Sequence, residues 1–207
     1  FQGFLGWYMV KSGLVDRPDV SHYRLAAHLT TAFVTFAFTL WVALDLIFPI
    51  KQTINKTYRN LIRIGLAILF IQIIYGAFVA GLDAGFIHNH WPMMSEGKFM
   101  HETVLTEKTP VYKNFIEGRS GVQFVHRILA FIVVISIAII YIKGKKIAVS
   151  NHQLNGLNSL LILVGIQSLL GVLTILLQVP LWLGIAHQIG AFLLLSSMIF
   201  TLHRFSK

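Results

Sequence analysis

The stretch Leu181–Leu202, LWLGIAHQIGAFLLLSSMIFTL, decides how this chain folds. It carries no charge. At about 1.5 Å per residue it is long enough to cross a hydrocarbon core of about 30 Å as a helix. Its Leu, Ile, Ala and Phe do not alternate with polar residues, as a barrel strand's would. Among its few polar residues is His187, about a helical turn inside the membrane boundary. An imidazole in hydrocarbon is costly without a partner, so an intramembrane histidine marks a functional position by default.

Working outward, the same pattern recurs at Leu25–Phe48, Leu61–Leu82, Val122–Ile142 and Leu154–Val179. With 56% hydrophobic and 12% charged residues, the 207-residue chain reads as an all-α polytopic membrane protein. Phe1–Val10 reads as the last turns of another helix with no charged leader before it, so an N-terminally incomplete piece of a longer protein is expected. The formal charge of +9 sorts by loop. Lys51, Lys56, Arg59 and Arg63 flank one connection, Lys143, Lys145 and Lys146 another, and Arg204 and Lys207 close the chain. The alternate loops, at 11–23, 83–120 and the turn near Pro180, are mixed, with Asp16, Asp19 and Arg17 in the first. By the positive-inside rule the basic loops face the cytoplasm or matrix. The charge therefore sets orientation, and no nucleic-acid partner is expected. No cysteine is present, which excludes a disulfide or thiolate ligand within these residues.

Three histidines share a depth near the outer face: His28, His126 and His187. Each lies on the second helix of a hairpin, and the first helix of each hairpin carries the form Gln-x-x-x-Gly: Gln2 to Gly6, Gln72 to Gly76 and Gln167 to Gly171. Small residues in membrane helices mostly serve close packing. Their recurrence in register with a histidine points further, to a hairpin repeat. Around His187, Gly184, Gly190 and Ala191 fall at i−3, i+3 and i+4, a strip against which a flat macrocycle can lie. His126 and His187 are therefore read as the two axial ligands of one haem. Iron saturated in this way moves electrons and leaves no open coordination position.

Two arginines accompany these histidines. Arg127 follows His126, and Arg24 stands one turn before His28. Each is read as a clamp for haem propionates, with snorkelling to headgroups as the alternative for Arg127. His22, His88, His90 and His101 in outer loops, His152 in an inner one and His203 at the end of the last span read as ordinary solvated or helix-end residues. Asp45 also reads as a helix-end residue. The long loop at 83–120 is read as a lid, a docking surface or a poorly ordered segment.

GWYMVKSGL at 6–14, SHYRLAAHL at 21–29, GAFVAGLDAG at 76–85, WPMM at 91–94, QFVHR at 123–127 and AHQIGAF at 186–192 together resemble the haem A synthases of the COX15/CtaA family. The resemblance runs the length of the chain. It implies a helical bundle of two similar four-helix halves, the first incomplete here: 1–49 the remainder of the substrate-haem half, 50–60 a linker on the cytoplasmic or matrix side, and 61–207 the haem b half. It implies conversion of haem O, supplied by a haem O synthase, to haem A for cytochrome oxidase. The site would lie in a bacterial cytoplasmic or mitochondrial inner membrane, with an unidentified electron acceptor and room for a homo-oligomer. His126 and His187 match the pair that holds haem b, and His28 matches a ligand of the substrate haem. The catalytic residues are expected upstream of Phe1, so this piece alone is expected to be inactive. The main alternative is a b-type cytochrome subunit that only relays electrons. Such a protein usually places haems near both membrane faces, whereas all three histidines here lie near one.

Overall fold

The computed structural model describes residues 1–11, 13, 19–48 and 55–206. Asp16, Arg17, Lys51, Lys207 and residues 50–54 of the expected linker at 50–60 lie outside the described residues. Eight α-helices follow in order: α1 Gln2–Val10, α2 His22–Ile47, α3 Lys56–Gly81, α4 Thr103–Thr106, α5 Asn114–Glu117, α6 Arg119–Ile147, α7 Asn151–Leu176 and α8 Leu181–Arg204. Among the described residues there is no strand beyond one isolated bridge between Ser95 and Lys98. Helices α2, α3, α6, α7 and α8 are each long and apolar enough to cross a membrane. The protein is an all-helical polytopic membrane protein.

Most of these helices run past the apolar sequence that announces them, because their ends are capped in the polar interface. The Asn55 side chain accepts from the Tyr58 amide at 3.0 Å, so α3 begins at Lys56, inside the expected linker. Ser150 and Gln153 form a reciprocal capping box that opens α7. At its other end α7 stops short of the apolar run, at Leu176, because Gln178 and Val179 turn with φ of 59° and 56° before Pro180. Positive φ is unfavourable for a β-branched residue. Here Val179 packs against Gly85 of the outer loop, where any side chain would collide with it.

Packing pairs α3 with α6, α6 with α7, α7 with α8 and α8 with α3, closing a four-helix ring. Helices α6 and α8 therefore stand at opposite corners. Helix α2 lies against α3 and α8 outside the ring, and α1 packs on α2. On α3 the buried positions Ile62, Gly65, Leu69, Ile73 and Ala77 follow helical spacing. They meet Val133, Ile137 and Ile140 of α6, Leu157 and Leu160 of α7 and Leu194 and Met198 of α8. Close approach depends on small residues: a side chain at Gly65 would strike Ile140, and one at Gly144 would strike Tyr58 and Leu157. The Tyr58 hydroxyl donates to the Ile140 carbonyl at 2.7 Å, joining α3 to α6 within the core. Large apolar side chains such as Phe38, Ile71, Ile135, Ile162 and Ile189 point outward, where lipid is their solvent.

Buried apolar side chains are densest in the inner half of the ring and thin toward the outer half on three of its helices, while α3 stays buried through Ile73 and Ala77. After Arg127, α6 buries nothing until Val133; α7 buries nothing beyond Val164; α8 buries Leu183 and then nothing before Gly190. A uniformly packed bundle would bury one face of each helix along its whole length.

The outer loop is ordered, contrary to one of its expected readings. Asn114, fully buried, accepts from the Lys108 amide at 2.7 Å and donates to the carbonyls of Leu105, Lys108 and Val111. The Glu107 carboxylate accepts from the Arg119 and Ser120 amides, both at 3.0 Å, and so satisfies the exposed N–H groups that begin α6. Replacing Asn114 by Ala should strand several of these backbone groups and destabilise the loop by on the order of 2–3 kcal/mol. Hydrogen exchange across 103–118 checks this, with faster exchange confined to the loop as the expected result.

Candidate functional site

The three histidines occupy equivalent places. His28 is the seventh residue of α2, His126 the eighth of α6 and His187 the seventh of α8, so each lies roughly 10 Å along its helix at about 1.5 Å per residue. Each ring meets the Gln-x-x-x-Gly face of its partner helix. The Gln2 Nε2 amide lies 3.1 Å from Nδ1 of His28 and donates to the His28 carbonyl at 2.9 Å. The Gln167 amide repeats this, 3.4 Å from His187 Nε2 and 2.9 Å from the His187 carbonyl. Gln72 lies 3.3 Å from His126 Nε2. A Cβ built at Gly6, Gly76 or Gly171 would stand 3.2, 3.3 or 3.0 Å from Cε1 of the facing ring.

His126 and His187 lie on the two corner helices that face each other across the ring, in the half where buried positions on α6, α7 and α8 thin out. The Nδ1 atoms of both rings, and Oε1 of Gln72 and Gln167, are buried without a hydrogen-bond partner. Unpaired polar atoms in such a place are rare and call for an occupant. Two imidazoles on opposing helices, with Gly184 and Gly190 beside one of them, fit a flat, doubly ligated macrocycle. Among the described residues no group of three or more His, Cys, Asp and Glu side chains forms a metal centre of the ordinary kind. His28 faces α1, outside the ring, and no hydrogen bond or ring contact joins it to either of the other two.

Both arginines are held by backbone. The buried Arg127 donates through Nη1 to the carbonyls of His90 and Met93, at 2.8 and 3.3 Å, and through Nη2 to that of His88 at 2.6 Å, while its buried Nε has no partner. It therefore turns inward to pin the outer loop over the bundle; it does not snorkel to headgroups. Gln123, one turn earlier, reaches the Ala84 and His88 carbonyls in the same way. Arg24 stacks 3.9 Å above the Tyr8 ring and donates to the Tyr8 carbonyl at 3.0 Å, covering the end of α1.

Other histidines differ from their expected solvated state. His88 and His101 are half-buried with ring centroids 4.7 Å apart. They join a chain in which His88 meets Ser120 at 3.0 Å, Ser120 meets Thr103 at 2.7 Å and Thr103 meets His101 at 2.7 Å. At the inner face His203 is fully buried, 2.9 Å from the Asp45 carboxylate and edge-on to Trp41. That contact ties α2 to α8 and makes Asp45 more than a helix end. Neither His203 nor Asp45 carries a local sequence signal for this pairing, since 158 residues separate them.

Burial, with the neighbouring His101, Arg127 and His90 and opposed by Glu107, lowers the His88 pKa from 6.5 to about 4. Because the folded value is depressed, the neutral ring's contribution to stability is complete above the unfolded value and is lost as pH falls from there toward 4. Hydrogen exchange of the outer loop, corrected for its intrinsic pH dependence, should therefore accelerate over that interval. His88→Gln should flatten the response.

The model of the COX15-CtaA family, described as cytochrome oxidase assembly protein, matches residues 1–199. The chain is 61% identical, over its whole length, to a protein of Flavobacterium psychrophilum named heme A synthase, of which it covers 61%. It is 40% identical to the heme A synthase of Nitrosospira multiformis, covering 58% of that protein, and 38% identical to the heme A synthase COX15 of Mus musculus, covering 52%. The chain thus spans between about half and three-fifths of the length of these relatives. Its five spans and these relatives make it an integral protein of a bacterial or mitochondrial inner membrane.

Proposed function

The chain belongs to the COX15-CtaA family of cytochrome oxidase assembly proteins, and from that premise we propose that the whole protein is a haem A synthase. It oxidises a methyl group of haem O to a formyl group, a change that takes up one oxygen atom, as from water, releases four protons and passes four electrons to an acceptor, and it delivers haem A for cytochrome oxidase. The relatives' names support the activity. The observation that carries the reading for this chain is the placement of His126 and His187 on opposite corners of the ring, each with a buried Nδ1 that has no hydrogen-bond partner.

In this reading the ring of α3, α6, α7 and α8 is the haem b half, and His126 and His187 are the axial ligands. Haem b with both axial positions filled supplies one-electron transfer and no open site for substrate. The residues around it do the remaining work. Gly184 faces open space and leaves room for a planar group, whereas Gly190 is packed against Gln167 and Leu170. The inner core closes the ring below the site and excludes water from that side. Arg127 and its loop cover it from the outer face. Its unpartnered Nε, and the charge it carries, suit a propionate there.

His28 belongs to a second site on α2, where haem O would bind, and Arg24 supplies the matching positive charge at its outer end. The separation of His28 from the ring supports two sites with two roles. Saturated iron cannot take part in oxidising a methyl group directly, so the substrate needs a site of its own.

The test is His28→Ala in the whole protein, expressed from its own gene in cells that make haem O. The variant should retain haem b, accumulate haem O and make no haem A. Haem A formation at the normal rate would contradict the assignment of His28 to the substrate site.

A further inference from the structure

Between them, the three hairpins place the same constellation in three different settings. Helices α1 and α2 are joined by a loop of ordinary length, α3 and α6 by the long ordered loop, and α7 and α8 by the tight turn at Pro180. A glutamine–glycine face nevertheless meets the ring in each: the glutamine amide stands 3.1 Å from Nδ1 of His28 and 3.3 and 3.4 Å from Nε2 of His126 and His187, and a glycine one turn later lies against Cε1 of the same ring. A contact that survives three unrelated connections is not a by-product of any of them.

Its physical content is orientation. The torsion that rotates an imidazole about its Cβ–Cγ bond is broad and weakly restrained, and a ligand ring needs neighbours to fix it. Residues at i and i+4 share one helix face. The glycine lets the Cε1 edge of the ring approach that face, and the glutamine amide then stands beside a ring nitrogen. In two of the hairpins the amide also binds the histidine's own backbone carbonyl at 2.9 Å, which fixes the direction the amide points.

We propose that Gln167 and Gln72 are positioning residues that set the ring planes of His187 and His126, with Gly171 and Gly76 providing the space, and that Gln2 and Gly6 do the same for His28. This rests on the haem-binding reading above. It adds to that reading a set of residues that touch neither iron nor substrate and act only through the histidines.

The experiment uses the purified whole protein as wild type, Gln167→Leu and Gly171→Ala. Three quantities are measured: the electron paramagnetic resonance g values of the ferric low-spin haem, haem loss to an excess of apomyoglobin, and thermal unfolding. Leucine fills the glutamine's volume without its hydrogen bonds. An alanine methyl would meet the His187 ring at 3.0 Å and turn it. Both variants should shift and broaden the largest g value, and haem affinity should fall about 10-fold or more, as for other residues that orient metal ligands. A purely structural role would lower the unfolding temperature and leave the g values where they were, and that result overturns the proposal. If Gln167→Leu fails to accumulate, Gly171→Ala carries the same two outcomes. A wild-type protein without a bis-histidine low-spin signal overturns the haem reading itself. An intact wild-type signal with unchanged variants overturns the positioning role alone.

Discussion

In hydrocarbon every imidazole, amide and guanidinium must find its hydrogen bonds within the protein, and the outer half of this bundle is arranged by that requirement. The glutamines meet the histidines. Arg127 and Gln123 meet loop carbonyls. Asn114 and Glu107 hold the loop in the shape that offers those carbonyls. Nδ1 of His126 and His187, Oε1 of Gln72 and Gln167 and Nε of Arg127 stay buried without a partner, on or beside the two ring histidines, while further unpartnered atoms on Arg59, His203, Arg204 and Ser206 lie at the inner end. The inner half is filled mostly by large aliphatic side chains, with a few hydroxyls satisfied between helices: Tyr58 on the Ile140 carbonyl and Ser159 with Ser197.

This division gives the two ends of the bundle different mechanical characters. The inner end is a packed core, tied to α2 by the Asp45–His203 contact. The outer end is a polar scaffold whose contents are set by hydrogen bonds and covered by an ordered loop. A large planar ligand is accommodated at the end where side chains are held by direction and can spare volume. Packing at the inner end would have to be broken to admit one.

Much of this was legible in the sequence. The five spans, the shared depth of the three histidines and the Gln-x-x-x-Gly repeat all follow from one-dimensional spacing, because helix geometry converts spacing into faces. Long-range pairings were not legible. Asp45 and His203 look like ordinary helix-end residues until α2 is laid on α8. Arg127 reads as a headgroup or propionate partner because nothing in the sequence says that the loop returns over it. The loop histidines His88 and His101 were read as solvated because their burial depends on Ser120 and Thr103, far away in the chain. Helix ends were misjudged where capping by Asn55 and Ser150 extends a helix into polar sequence, and where the left-handed pair Gln178 and Val179 cuts one short.

The central claim is that His126 and His187 hold one haem between opposing corners of the ring. Its most direct test is the haem content and low-temperature electron paramagnetic resonance spectrum of the purified whole protein carrying His126→Ala or His187→Ala. The account predicts a bis-imidazole low-spin haem b in the wild type that is abolished by either substitution, with the protein still folded in the membrane. Retention of that signal in both variants would contradict it.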